Sequence, residues 1–107
     1  MRILLDENIP RQLKSDFRDF KIFTVRDKGW DGVKNGVLLG LMLENNFDAL
    51  ITFDKNLQHQ QNFLKYSITV FVLNAPINTY KELTKLSPQI KDLIIKGNVP
   101  IGPIVIL

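Results

Sequence analysis

Residues 3–8, ILLDEN, and residues 49–54, ALITFD, decide the fold. Each is an apolar run that ends abruptly in an acid: Ile3-Leu4-Leu5 stops at Asp6-Glu7, and Ala49-Leu50-Ile51-Thr52-Phe53 stops at Asp54. A strand apolar at consecutive positions has to be covered on both faces, which is the situation of a parallel sheet between helical layers. Working outward from these two runs, Ile22-Phe23-Thr24-Val25 and ITVFVL (68–73) are β-branched and aromatic and read as further strands, and Ile104 to Leu107 reads as the last.

The segments between them carry helical signals. Pro10 suits a first helical turn, with Leu13 and Phe17 four residues apart behind it. Asn35 stands where a cap precedes an apolar helix from Val37 to Asn46. A short helix is expected within KNLQHQQNFLKY (55–66). Thr79-Tyr80-Lys81-Glu82 has the form of a capping box, Ser87-Pro88 reads as a stop and a new cap, and Gly97 closes the helix running through Ile90, Leu93 and Ile94. RDKGWDGVKNG (26–36) has three glycines and no period, so it is a loop. Strands alternating with helices predict one α/β domain over 1–107, a three-layer sandwich with a mostly parallel central sheet of about five strands.

Composition narrows the chemistry. The chain has 107 residues and no cysteine, which excludes a disulfide framework, a thiolate zinc site and cysteine catalysis, and its single histidine, His59, argues against a His-rich metal site or a conventional Ser-His-Asp triad. No apolar run approaches the ~20 residues of a bilayer span, and acids follow three apolar residues at the start, so a cytoplasmic protein without membrane attachment is expected. A net charge of +3 permits a polyanionic partner without demanding one.

In an open parallel sheet, ligands bind beyond the carboxyl ends of the strands, where the strand order switches. Asp6 and Asp54 both sit at that edge if their strands are neighbours. Close carboxylates repel unless a cation neutralises them, and hard oxygen ligands point to Mg²⁺ or Mn²⁺. Glu7 is a candidate second ligand beside Asp6, and Thr52 shares a side with Asp54 and is placed to orient it. The plainer roles stay open: an acid after a strand also caps a following helix or satisfies donors in its own turn.

ILLDENIP, GWDGVKNG and TFDKNL-x-x-QQN, taken together across the whole chain, resemble the small PIN-like proteins related to VapC-type toxin ribonucleases. The resemblance implies a PIN-like fold, an acidic Mg²⁺ or Mn²⁺ pocket, cleavage of single-stranded RNA, control by an antitoxin protein and pairing as a homodimer. It places Asp6 at the metal-binding acid after the first strand and Asp54 at the acid after the third. Glu7 accompanies Asp6, and Thr52, Asn56, Gln60, Gln61 and Asn62 fall in the polar motif, with Asn35 as a further supporting polar residue. One position departs from the pattern: where the family offers a carboxylate at the start of the helix after KNG, this chain has Val37. Asp27 or Asp31 from the loop, or Glu44 from the helix, are the acids that would have to replace it.

Softer candidates surround this set. Arg11, Lys34 and Lys55 are placed for phosphate contacts. Trp30 either stacks on a base or anchors its loop, and His59 among the amides is more at home in hydrogen bonding than in acid–base chemistry. Three functions compete: a metal-dependent ribonuclease, a catalytically weakened PIN-like module that binds RNA or protein, and a phospho-receiver domain. The receiver reading fits Asp6, Glu7 and Asp54, but needs a lysine at the tip of the last strand, whereas Lys96 precedes that strand.

Overall fold

The computed structural model describes residues 1–57, 65–97 and 99–107. Five strands form one all-parallel sheet: β1 (Arg2–Leu5), β2 (Lys21–Thr24), β3 (Ala49–Thr52), β4 (Thr69–Leu73) and β5 (Gly102–Ile106), in the order β2-β1-β3-β4-β5. The α-helices among the described residues are α1 (Asn35–Glu44), α2 (Tyr80–Leu83) and α3 (Ser87–Lys96); a 3-10 helix spans Arg11–Phe17, and another, Thr84–Leu86, joins α2 to α3. None of them is long and apolar enough to cross a membrane.

The apolar runs are buried on both sides, as their lack of alternation requires. Ile3 and Leu5 point into one core with Ile51, Phe71, Leu73 and Ile106, sealed by Leu13, Phe17, Leu83 and Ile90 of the helices on that face. Leu4, Leu50, Val70 and Val72 point the other way, against Leu38, Leu39 and Met42 of α1. The sandwich therefore has three layers, with α1 on one face and the Arg11–Phe17 helix, α2 and α3 on the other.

Several local expectations shift, each for a physical reason. The segment after Pro10 is a 3-10 helix, and Pro10 sits just outside it with extended ψ of 127°. α1 begins at Asn35 itself, with Lys34 in the cap position and no side-chain cap, because the Asn35 amide is turned elsewhere. Thr79 caps α2 by accepting from Glu82 N–H, but Glu82 reaches Lys85 rather than back to Thr79, so only half of the capping box forms. Leu86, not Ser87, takes the cap position of α3, and the Ser87 hydroxyl is used on Asp16. Gly97 closes that helix with φ of 73°, the left-handed conformation glycine adopts freely.

Gly102 and Pro103 lie inside β5 rather than ahead of it. Gly102 donates to Ile68, and β5 is an edge strand, so Pro103 sits where its missing N–H faces away from the ladder. The short helix expected within 55–66 falls mostly on residues 58–64, outside the described residues.

Candidate functional site

The strand order places β1 between β2 and β3, which makes the β1/β3 tips the point where successive connections part to opposite sides of the sheet. Leu5 pairs with Ile51, and one residue further Asp6 N–H donates to Ile51 at 2.9 Å. Asp6 follows Leu4 in the alternation, and Thr52 and Asp54 follow Leu50, so all three side chains belong to the α1 side of the sheet. The pattern that buries the leucines thus also delivers the two acids to one spot.

Thr52 is the joint between them. Its fully buried hydroxyl donates to Asp6 Oδ2 at 2.6 Å and accepts from the Asp54 N–H at 3.0 Å. It was expected to orient the Asp54 carboxylate; instead it holds the carboxylate of Asp6 and only the backbone of Asp54. The reason is register, since Thr52 lies directly beyond the Leu5–Ile51 pair and faces Asp6 across the ladder. Asp6 Oδ1 accepts from Glu7 N–H at 2.8 Å. Asp54 Oδ1 accepts from Asn56 N–H at 2.9 Å, and Asn35 Nδ2 approaches Asp54 Oδ2 at 3.4 Å. Asn56 therefore contributes its main chain, and Asn35 serves the site in place of capping α1.

Burial pushes the Asp6 carboxyl above its ordinary range, against the lowering effect of the Thr52 and Glu7 hydrogen bonds, and the negative charges of Asp54 and Glu7 push it further. Two carboxylates are thus held close enough to repel, with hydrogen bonds fixing each in place.

The remaining candidates are engaged nearby but differently. Glu7 is exposed, and both of its oxygens accept from Gly32 N–H at 3.1 and 3.2 Å, tying β1 to the glycine loop. Asp27 accepts from Lys14 Nζ at 2.7 Å and from Thr24 N–H at 2.9 Å; the Lys14 bond is the main reason its carboxyl lies below the usual range. Asp31 lies 3.7 Å from Arg26. Glu44 ends α1 and so stands about 13.5 Å along the helix from Asn35. Val37, at the position where a carboxylate was sought, is 61% exposed. Among the described residues no group of three or more His, Cys, Asp or Glu side chains gathers closely enough to hold a metal ion.

A cleft of about 370 Å³ opens on the β2 side of Asp6. Asp6, Glu7, Arg11, Lys14, Arg26 and Asp27 are among its walls, while Asp54 and Asn35 lie behind Asp6 and do not line it. Arg11 thus lines the cleft and is exposed in its wall. Lys34 and Lys55 are exposed outside the cleft, with Lys55 Nζ lying 5.6 Å from the centre of the Phe53 ring. Trp30 packs edge-on against Phe47 at 5.9 Å in the α1-side core, so it anchors its loop. His59, Gln60, Gln61 and Asn62 lie outside the described residues.

The sequence reading passed over one cluster entirely. Asp16, on the Arg11–Phe17 helix, accepts from Tyr80 Oη at 2.8 Å, Thr84 Oγ1 at 2.6 Å and Ser87 Oγ at 2.7 Å. The three donors recur at near-helical spacing, but nothing local to them names Asp16 as their acceptor. Comparison of the chain with protein-family models, with curated proteins and with solved structures finds no match.

Proposed function

We propose that the chain is a metal-dependent endoribonuclease of the PIN-like class that hydrolyses phosphodiesters of single-stranded RNA. The observation that carries this reading is the convergence of Asp6 and Asp54, through Thr52, at the switch point of a parallel sheet. The donor set fits a small hard cation: Mg²⁺ commonly takes one or two carboxylates and completes its shell with water and substrate phosphate, and Mn²⁺ accepts the same ligands. Both influences that raise the proton affinity of Asp6, desolvation and like charge, are relieved by a divalent cation. Such a cation supplies acidified water and stabilisation of the charge that develops on the phosphate.

The protein's own residues provide the framework. Thr52 and the Glu7 N–H fix both oxygens of Asp6, and the Asn56 N–H and the Asn35 amide hold Asp54. Arg11 in the cleft wall positions a phosphate by charge. Glu7 follows Asp6 in the chain, but both of its oxygens are taken by the Gly32 N–H, so it acts as a strut of the loop unless substrate releases it. A role as the toxin of a toxin–antitoxin pair and action as a homodimer belong to the same reading and rest on the resemblance alone; a cytoplasmic location belongs to it as well and rests on the composition of the chain.

A specific observation favours a second reading, a PIN-like module that binds RNA or protein without efficient cleavage. The third carboxylate is lacking: Val37 faces solvent, Glu7 is on Gly32 and Asp27 is on Lys14. The receiver reading is the weakest of the three. α3 runs back towards the amino ends of the strands before β5, so Lys96, which pairs with Asp92 at 2.9 Å, stands at the opposite edge from Asp54.

Incubation of the chain with a labelled single-stranded RNA and Mn²⁺ tests the first reading. Cleavage that is abolished by EDTA and by Asp6→Asn is the expected result. No cleavage by a folded wild-type chain that still binds the RNA favours the module, and cleavage unchanged by Asp6→Asn contradicts the site.

A further inference from the structure

Next to the cleft lies a second depression of about 610 Å³, on the face of the Arg11–Phe17 helix, lined by Arg11, Lys14, Ser15, Arg18 and Tyr80 with Ile22 and Gln12. Arg11 and Lys14 belong to both depressions, so the two adjoin, and Arg18 and Tyr80 belong to the second alone. We propose that this groove is the track on which a single-stranded RNA backbone is held as it leaves the cleft, with Arg11 and Arg18 neutralising phosphates and Tyr80 forming part of the wall. The inference rests on the nuclease reading and extends it by assigning where the substrate lies.

Charge complementarity selects the occupant. No acid lines the groove, whereas the cleft beside it carries Asp6, Glu7, Asp27 and Asp31. Lys14 is already held by Asp27, but among the described residues Arg11 and Arg18 make no ion pair, and both are exposed. In a 3-10 helix residues three apart eclipse, so Gln12, Ser15 and Arg18 stand in one row spanning about 12 Å, room for more than one nucleotide. The row combines neutral hydrogen-bonding groups with an arginine, which suits a sugar–phosphate chain. Tyr80 is pinned at the groove wall by its hydroxyl, which donates to Asp16 at 2.8 Å, and its ring packs partly on the core beneath, so its remaining aromatic surface is fixed in the wall. A nucleic-acid strand presents one phosphate and one base per repeat and uses both features, whereas an acidic peptide uses only the charge.

Binding in EDTA separates this inference from the hydrolytic one. Fluorescence anisotropy of a labelled 12-nucleotide oligouridylate is measured on the full chain across a salt series. The comparison includes wild type, Arg11→Ala/Arg18→Ala, Tyr80→Phe, Tyr80→Ala and Lys96→Ala, with folding checked by circular dichroism. The double arginine variant is expected to bind about tenfold more weakly, with a salt slope shallower by about 1.4, two phosphates at ~0.7 each. Tyr80→Phe should bind as wild type and Tyr80→Ala should lose affinity, while Lys96→Ala stays within twofold. Unchanged affinity in the double variant overturns the track, as does an equal loss in Lys96→Ala. Displacement of the oligonucleotide by polyglutamate of equal length and at equal concentration reassigns the groove to an acidic protein segment and also overturns it. If binding follows these expectations while Mn²⁺ brings no cleavage, the hydrolytic reading fails and the track stands.

Discussion

Asp6 and Asp16 are half-buried aspartates on opposite faces of one small sheet, and their surroundings treat them in opposite ways. Asp16 receives three hydroxyl donors, and although burial works against its charge, Thr84, Ser87, Tyr80 and the cation of Lys91 together hold its carboxyl below the usual range. Asp6 receives one hydroxyl and one N–H, and burial together with Asp54 and Glu7 raises it. The first arrangement is complete as it stands and joins the 3-10 helix to α2 and α3. The second leaves like charges facing one another, which the proposed cation would neutralise. The contrast separates a carboxylate that holds the fold together from one whose charge, in the proposed function, is reserved for a cation.

The largest expected effect falls on the reserved pair. Asp54→Asn should lower Mn²⁺-dependent RNA cleavage by a factor on the order of 10² or more while leaving the far-ultraviolet circular dichroism unchanged. Activity within threefold of wild type would remove Asp54 from the site. Next comes the structural aspartate: Asp16→Ala leaves three hydroxyls without their acceptor and should cost about 2 kcal/mol, lowering Tm by on the order of 10 °C. Because the folded carboxyl lies below its unfolded value, its stabilisation is complete above about pH 4 and is lost as pH falls through the folded pKa. The stability gap between wild type and Asp16→Asn in urea titrations should therefore close on acidification.

Asn35→Asp sharpens the comparison from the other side by adding a carboxylate beside Asp54 Oδ2. It should tighten Mn²⁺ binding about tenfold, read by electron paramagnetic resonance, and weaken the fold when no metal is added. The smallest effect is the inverse of the Asp16 result. With its folded pKa raised, Asp6 lets the native chain keep a proton that the unfolded chain has released, so its contribution to stability declines as pH rises from about 4 through the folded value. Asp6→Asn should thus stabilise the metal-free chain at neutral pH, with the gain vanishing below about pH 4. A loss of stability at neutral pH would show that Asp6, like Asp16, serves the fold.

The sheet was legible because burial on two faces leaves an unmistakable trace, as in Ile3-Leu4-Leu5 and Ala49-Leu50-Ile51, and because an acid after each run marks where burial stops. The three central strands follow from such runs and the edge strands β2 and β5 from their β-branched and aromatic residues, with boundaries moved by a residue or two where Gly102-Pro103 joined edge strand β5 and Phe53 left central strand β3. The meeting of Asp6 with Thr52 follows from pairing β1 with β3, which parity along the strands anticipates. Parity could not show whether Thr52 would turn to its neighbour in sequence or to its neighbour across the ladder. The occupations of Glu7, Asp27 and Asn35 were illegible for a related reason. Each is decided by a partner 13 to 25 residues away, and one end of every pair lies in the 26–36 segment, which carries no period. The Asp16 cluster depends on contacts across 64 to 71 residues and has no local signature at all.

The most direct test of the account is a double-mutant cycle on Mn²⁺ affinity, measured by electron paramagnetic resonance on the wild-type chain, Asp6→Asn, Asp54→Asn and the double variant. If the two carboxylates share one ion, the wild type binds a single Mn²⁺, each substitution removes most of the affinity, and the double variant loses little more than either alone. Losses that add independently, or wild-type affinity in both single variants, would contradict it.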